Sequence, residues 1–120
     1  MRIEDAPRTK LGFLEARPGD VIDKDGLLLV DVRREEELLE DLGHIHGVRH
    51  VPMEEILASG LPSVDRATPV VVVCQNGFQS RKCAEALVQE YGYTEVYHLV
   101  GGMIRWNAEA RPVARVRTWR

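Results

Sequence analysis

Apolar residues along the chain fall into short runs that alternate with helical stripes. Leu27-Leu28-Leu29-Val30 follows the turn signal Asp25-Gly26 and predicts a strand buried on both faces. Residues 34–42, rich in Glu and Leu, predict a helix stopped by Gly43. Residues 48–51 predict a short strand closed by Pro52, and residues 53–58 a short helix ending near Gly60. The β-branched run Val70-Val71-Val72-Val73 predicts the clearest strand. Residues 80–91 predict the clearest helix, because Cys83, Ala84, Leu87, Val88 and Tyr91 form one apolar stripe and Gly92 supplies a stop. Val96 to Leu99 predicts another strand, and residues 103–108 a last helix ahead of Pro112. Residues 1–26 are poorly defined, with Phe13-Leu14 as a short edge strand and Pro18 opening a helical turn. Alternating strands and helices predict an α/β fold with a central, mainly parallel sheet of about five strands and helices on both faces.

Composition narrows the picture. A chain of 120 residues that is 44% hydrophobic suits one domain with an ordinary core. Its longest apolar run, Val70-Val71-Val72-Val73-Cys74, is strand-sized, well short of the roughly 18–20 residues of a membrane span. A net charge of −3 argues against nucleic acid as a partner. The opening MRIEDAPRTK is too polar for a secretory signal, so a reducing, cytoplasmic setting is expected. Two cysteines cannot staple a disulfide framework or complete a four-thiolate zinc site. Charge is uneven: residues 31–41 carry six acids and two arginines, and the tail at 107–120 holds Arg111, Arg115, Arg117 and Arg120. Solvated helix faces and a frayed terminus are the expected explanation.

The candidate chemistry sits after the best strand. In open α/β sheets, sites form at the carboxyl ends of strands. Cys74 stands there, followed by Gln75, Asn76, Gly77, Phe78, Gln79 and Ser80 before a helix. A tight turn with a central Gly can aim backbone N–H groups inward, and the helix adds its own free N–H groups and the positive end of its dipole. Such surroundings favour a thiolate, which is a nucleophile.

These residues resemble the single-domain rhodaneses over residues 27–106. The resemblance is carried by Asp31-Val32-Arg33, by Gly43-His44-Ile45-His46-Gly47 leading to Val51-Pro52, by the Cys74 loop with Gly77 and Ser80, and by Leu99-Val100-Gly101-Gly102 with Trp106. It implies that Cys74 takes a sulfane sulfur from thiosulfate or a persulfide, holds it as a persulfide, and passes it to a thiol or cyanide-like acceptor. Loop N–H groups from Gln75 to Ser80 would cradle the anion with no metal or organic cofactor. The same loop also suits a sulfur carrier that serves a protein partner in a relay without turning over small donors.

Three departures from the family pattern stand out. Gln75 and Gln79 occupy loop positions where many members carry Arg, which weakens binding of dianionic thiosulfate, makes a persulfide donor at least as fitting, and leaves Arg81, with Lys82 beside it, as the steering cation that could compensate. Leu39 to Leu42 makes the segment before Gly43 longer than the usual pattern by about two residues, and His46 stands where the pattern usually has Pro. Spacing argues against tyrosine-phosphatase or arsenate-reductase chemistry: in those phosphatases an Arg follows the Cys after five residues, and here that position is Ser80, with Arg81 one later.

Other residues have structural explanations. Cys83 lies on the apolar stripe, so a disulfide to Cys74 would require unwinding the helix start. His44, His46 and His50 lack a carboxylate or thiolate at metal-ligand spacing, so no metal is expected, and His44 is expected to tie its loop by hydrogen bonds. Asp31 and Arg33 are expected to support the site, Asp31 by accepting loop N–H bonds and Arg33 by pairing with an acid. Trp106 is expected as a core anchor.

Overall fold

In the computed structural model, which describes residues 6–22 and 24–120, the four valines form the middle strand of a five-stranded sheet. The polar opening read above as no secretory signal lies partly outside the described residues. The elements run β1 (Leu14–Ala16), α1 (Pro18–Val21), β2 (Leu28–Asp31), a 3₁₀ helix (Glu35–Leu39), β3 (Arg49–His50), α2 (Met53–Ser59), β4 (Val70–Val73), α3 (Phe78–Gln89), β5 (Val96–Leu99) and α4 (Gly102–Ala108). The sheet order is β1-β5-β4-β2-β3, and every pairing is parallel.

Parallel neighbours require crossovers, and the helices supply them on both faces. One face packs Val30, Val70, Val72 and Val96 against Ile56 of α2 and Cys83 and Leu87 of α3. The other packs Val71, Val73, Tyr97 and Leu99 against Val21 of α1 and Met103 and Trp106 of α4. All four valines of β4 are fully buried, each contributing about 1.5–3 kcal/mol of burial. Trp106 is the expected core anchor, its indole N–H donating to the Pro112 carbonyl at 2.9 Å.

Three expectations are corrected. Residues 34–42 do not form a full helix; only the 3₁₀ turn Glu35–Leu39 forms, because Leu38 alone of the segment is buried and no apolar stripe holds a longer one. The clearest helix begins at Phe78, two residues before Ser80, because Gly77 in the left-handed region starts it and the Asn76 side chain accepts the Phe78 N–H at 3.0 Å.

The third correction concerns the tail, which is docked rather than frayed. Trp119 is buried against Leu38 and Val48, and its ring stands edge-on to His44 at 4.9 Å. His50 N–H donates to the Arg120 carbonyl, Arg120 N–H donates to the Val48 carbonyl, and Ala114 bridges to His44. Burying one indole outweighs the tail's charge, since Arg115 and Arg117 reach outward to the Asp41 carbonyl and Glu35. Among the described residues, no helix is long and apolar enough to cross a membrane.

Candidate active site

Cys74 follows the last residue of β4, where the strand's hydrogen-bond ladder ends. Gly77, with φ of +99°, turns the chain from strand to helix within three residues. The turn folds back on the cysteine. Gly77 N–H donates to Sγ at 3.0 Å and Ser80 N–H at 3.3 Å, while the thiol itself meets Ser80 Oγ at 3.4 Å. Ser80 is the third residue of α3, so its N–H has no partner within the helix and is free for the sulfur. Of the loop residues expected to cradle an anion, these two supply the N–H contacts to Sγ. Phe78 N–H is taken by Asn76, and the side chains of Gln75, Asn76, Phe78 and Gln79 are exposed around the mouth.

α4 holds the loop from the opposite side. Met103 N–H donates to the Cys74 carbonyl at 2.9 Å and Ile104 N–H to the Gln75 carbonyl at 3.0 Å. This close approach needs Gly102, whose φ is +55° and where a Cβ would strike the Cys74 carbonyl and lie 2.6 Å from that of Gln75. Gly102→Ala is therefore expected to cost about 2–4 kcal/mol, from left-handed strain plus overpacking. Urea unfolding checks this, and a loss under about 0.5 kcal/mol would show that the loop does not depend on the contact.

Arg81 does not reach the sulfur. Its guanidinium pairs with Glu15 at 3.2 Å and lies 5.4 Å over the Phe13 ring. Contrary to the expectation above, Asp31 accepts no N–H from the Cys74 loop; its carboxylate is taken by Arg33. Arg33 Nη2 donates to Asp31 Oδ2 at 2.9 Å and to the Gly43 carbonyl at 2.8 Å, and both side chains are buried. A guanidinium two residues away, on the same side of the chain, outcompetes a more distant loop. His44 ties Leu38 to the tail, with Nδ1 2.8 Å from the Leu38 carbonyl and Nε2 2.7 Å from Thr118 Oγ1. These three residues thus brace the segment beside the site, where a cleft of about 330 Å³ is lined by Arg33, Glu37, Glu40, Asp41, Leu42 and Gln75.

His50 serves similarly, its Nε2 lying 2.7 Å from the Arg33 carbonyl, and His46 is exposed. Among the described residues, no three metal-ligating side chains converge. Cys83 is fully buried; burial first, then the nearby Cys74 and Glu54, push its thiol up to about 12. It is protonated and inert at neutral pH.

One residue escaped the sequence reading. His98 of β5 is buried, with Nδ1 3.0 Å from Ser80 Oγ and Nε2 3.7 Å from Glu15 Oε2. Within Val96-Tyr97-His98-Leu99 it reads as one more strand position, and no local signal marks it.

A family model for the rhodanese-like domain matches residues 19–109. The chain is 33% identical over 99 residues to the thiosulfate sulfurtransferase GlpE of Coxiella burnetii, covering 82% of this chain and 87% of that protein. It is 33% identical over 85 residues to the protein of the same name from Pseudomonas aeruginosa, covering 71% and 74%. Among solved structures, a rhodanese-related protein from Thermoplasma volcanium matches with a TM-score of 0.73 at 24% identity, covering 85% of this chain and 98% of that one. A parallel five-stranded sheet, a glycine-turned cysteine loop after its middle strand and these likenesses place the chain in the rhodanese-like domain family.

Proposed function

We propose that this protein is a sulfurtransferase that carries sulfur on Cys74. The Cys74 thiolate attacks the sulfane sulfur of a donor; a new S–S bond forms, the donor's own bond breaks, and the leaving group departs with the electron pair. A thiol or cyanide-like acceptor then attacks the outer sulfur and returns Cys74 as thiolate. Both steps are nucleophilic displacements, so neither requires a metal or organic cofactor. The observation that carries the reading is the pair of N–H groups, from Gly77 and Ser80, converging on Sγ at 3.0 and 3.3 Å. They stabilise negative charge on sulfur without a counter-cation.

The relatives named thiosulfate sulfurtransferase support this activity in general and thiosulfate as one donor. The surroundings of the loop favour a less charged donor. Gln75 and Gln79 bring no cation, Arg81 is held by Glu15, and the adjoining cleft carries Glu37, Glu40 and Asp41. Repulsion of a dianion is expected to make kcat/KM for a low-molecular-weight persulfide about tenfold or more above that for thiosulfate. The same features favour a second reading, in which Cys74 holds sulfur for one protein partner.

Incubation with each donor, intact-mass measurement and then thiocyanate release on adding cyanide separates the two. Sulfur gain with turnover supports the transferase. Gain with negligible turnover supports the carrier, and no gain from either donor overturns both.

A further inference from the structure

This inference rests on the sulfurtransferase reading and concerns how Cys74 loses its proton. The cysteine is 1% exposed, and its thiol's hydrogen-bond acceptor is Ser80 Oγ at 3.4 Å. Ser80 is itself fully buried, and its single hydroxyl proton has two acceptors within reach. One is the Gly77 carbonyl at 3.1 Å, the other His98 Nδ1 at 3.0 Å. The parallel register sets His98 opposite Glu15, whose carboxylate lies 3.7 Å from Nε2 and is about one-third exposed. A continuous polar path therefore runs from the buried sulfur through Ser80 and His98 to a carboxylate at the surface.

We propose that His98, oriented by Glu15 and acting through Ser80, is the positioning residue that takes up the Cys74 proton. The thiol proton passes to Ser80 Oγ as the Ser80 hydroxyl proton passes to His98 Nδ1. The products are a thiolate and an imidazolium, with no net change of charge. Ser80, now carrying the former thiol proton, donates to the thiolate alongside the Gly77 and Ser80 N–H groups. When the thiolate attacks the donor sulfur, the imidazolium releases its proton to water past Glu15.

The groups facing His98 suit this role. Burial lowers its pKa below the ordinary histidine value, and Arg81 from α3 lowers it further. Glu15 from β1 opposes both, and the Phe13 ring packs edge-on at 5.8 Å. His98 thus starts neutral at neutral pH, able to accept a proton, with a carboxylate placed to hold the resulting cation.

The test is a pH titration of ultraviolet thiolate absorbance, with the Cys74→Ser signal subtracted, for the parent, His98→Asn, His98→Gln and Ser80→Ala. Losing the acceptor should raise the pH at which the thiolate appears by about one unit or more, a tenfold loss of thiolate below the transition. Ser80→Ala should shift the titration at least as far as His98→Asn, since it also removes the hydroxyl that donates to the thiolate, and the double variant should go no further than Ser80→Ala. Donor turnover at neutral pH should fall about tenfold or more with KM unchanged, and the deficit should close at alkaline pH. A loss that persists at alkaline pH, or a parent-like titration in the His98 variants, overturns the proposal. Should those variants fail to fold, Glu15→Gln at its partly exposed site is expected to shift the titration in the same direction, and no shift overturns the proposal. If the parent loads no sulfur while the shift is present, the proton path stands and the sulfurtransferase reading falls.

Discussion

Cys74→Ser is expected to abolish sulfur loading and to lower thiocyanate formation by about 10⁴-fold or more, with the fold intact. Serine is close to cysteine in volume, so the packing between β4 and α3 survives. Its oxygen keeps the Gly77 and Ser80 N–H contacts, but a hydroxyl stays protonated at neutral pH and does not form the S–S bond that carries the sulfur. The other thiol provides no bypass: Cys83 is fully buried in the apolar face of α3, and its titration is pushed up to about 12. Intact mass after donor treatment checks the result. A Cys74→Ser protein that still gains sulfur would put the nucleophile elsewhere and end the proposed mechanism.

The largest effect on stability is expected at the buried pair Asp31–Arg33. Asp31→Ala or Arg33→Met alone should each cost about 3–5 kcal/mol, read as a lower urea midpoint with unchanged slope. The carboxylate accepts the Arg33 backbone N–H at 3.1 Å, Nε at 3.0 Å and Nη2 at 2.9 Å. Removing it strands a guanidinium that has almost no access to water. Removing the guanidinium strands the carboxylate and frees the Gly43 carbonyl that Nη2 holds at 2.8 Å. The double variant Asp31→Leu, Arg33→Met should recover part of the loss, since two isolated charges cost more than none. Recovery should be incomplete because the Gly43 carbonyl still lacks its donor. Single losses under about 1 kcal/mol would reduce the pair to the worth of a surface ion pair.

Both effects concern residues that the sequence marks by short-range pattern. Cys74 is visible because a buried strand, a glycine turn and a helix follow one another within a dozen positions. Asp31 and Arg33 are visible as candidates, but not their pairing, because alternation puts two side chains on one face without saying which neighbour each will bond. The Arg-rich tail misled for a related reason. Its charges dominate the composition, yet Trp119 decides its place, by docking against Leu38 and Val48 from the far end of the chain.

The sequence by itself determined the alternation of strands and helices, the sulfur at the end of the clearest strand, the glycine that turns its loop and the burial of Cys83. Each depends on a few consecutive residues, whose periodicity and backbone freedom act locally. Only the tertiary structure decided which residues meet the sulfur's neighbours. The order β1-β5-β4 sets the first strand beside the last, so Glu15 stands opposite His98 and His98 reaches Ser80. Those residues come from three separate elements. What joins them is the parallel register of non-consecutive strands, set by burial of both sheet faces at once, and no local pattern encodes that pairing.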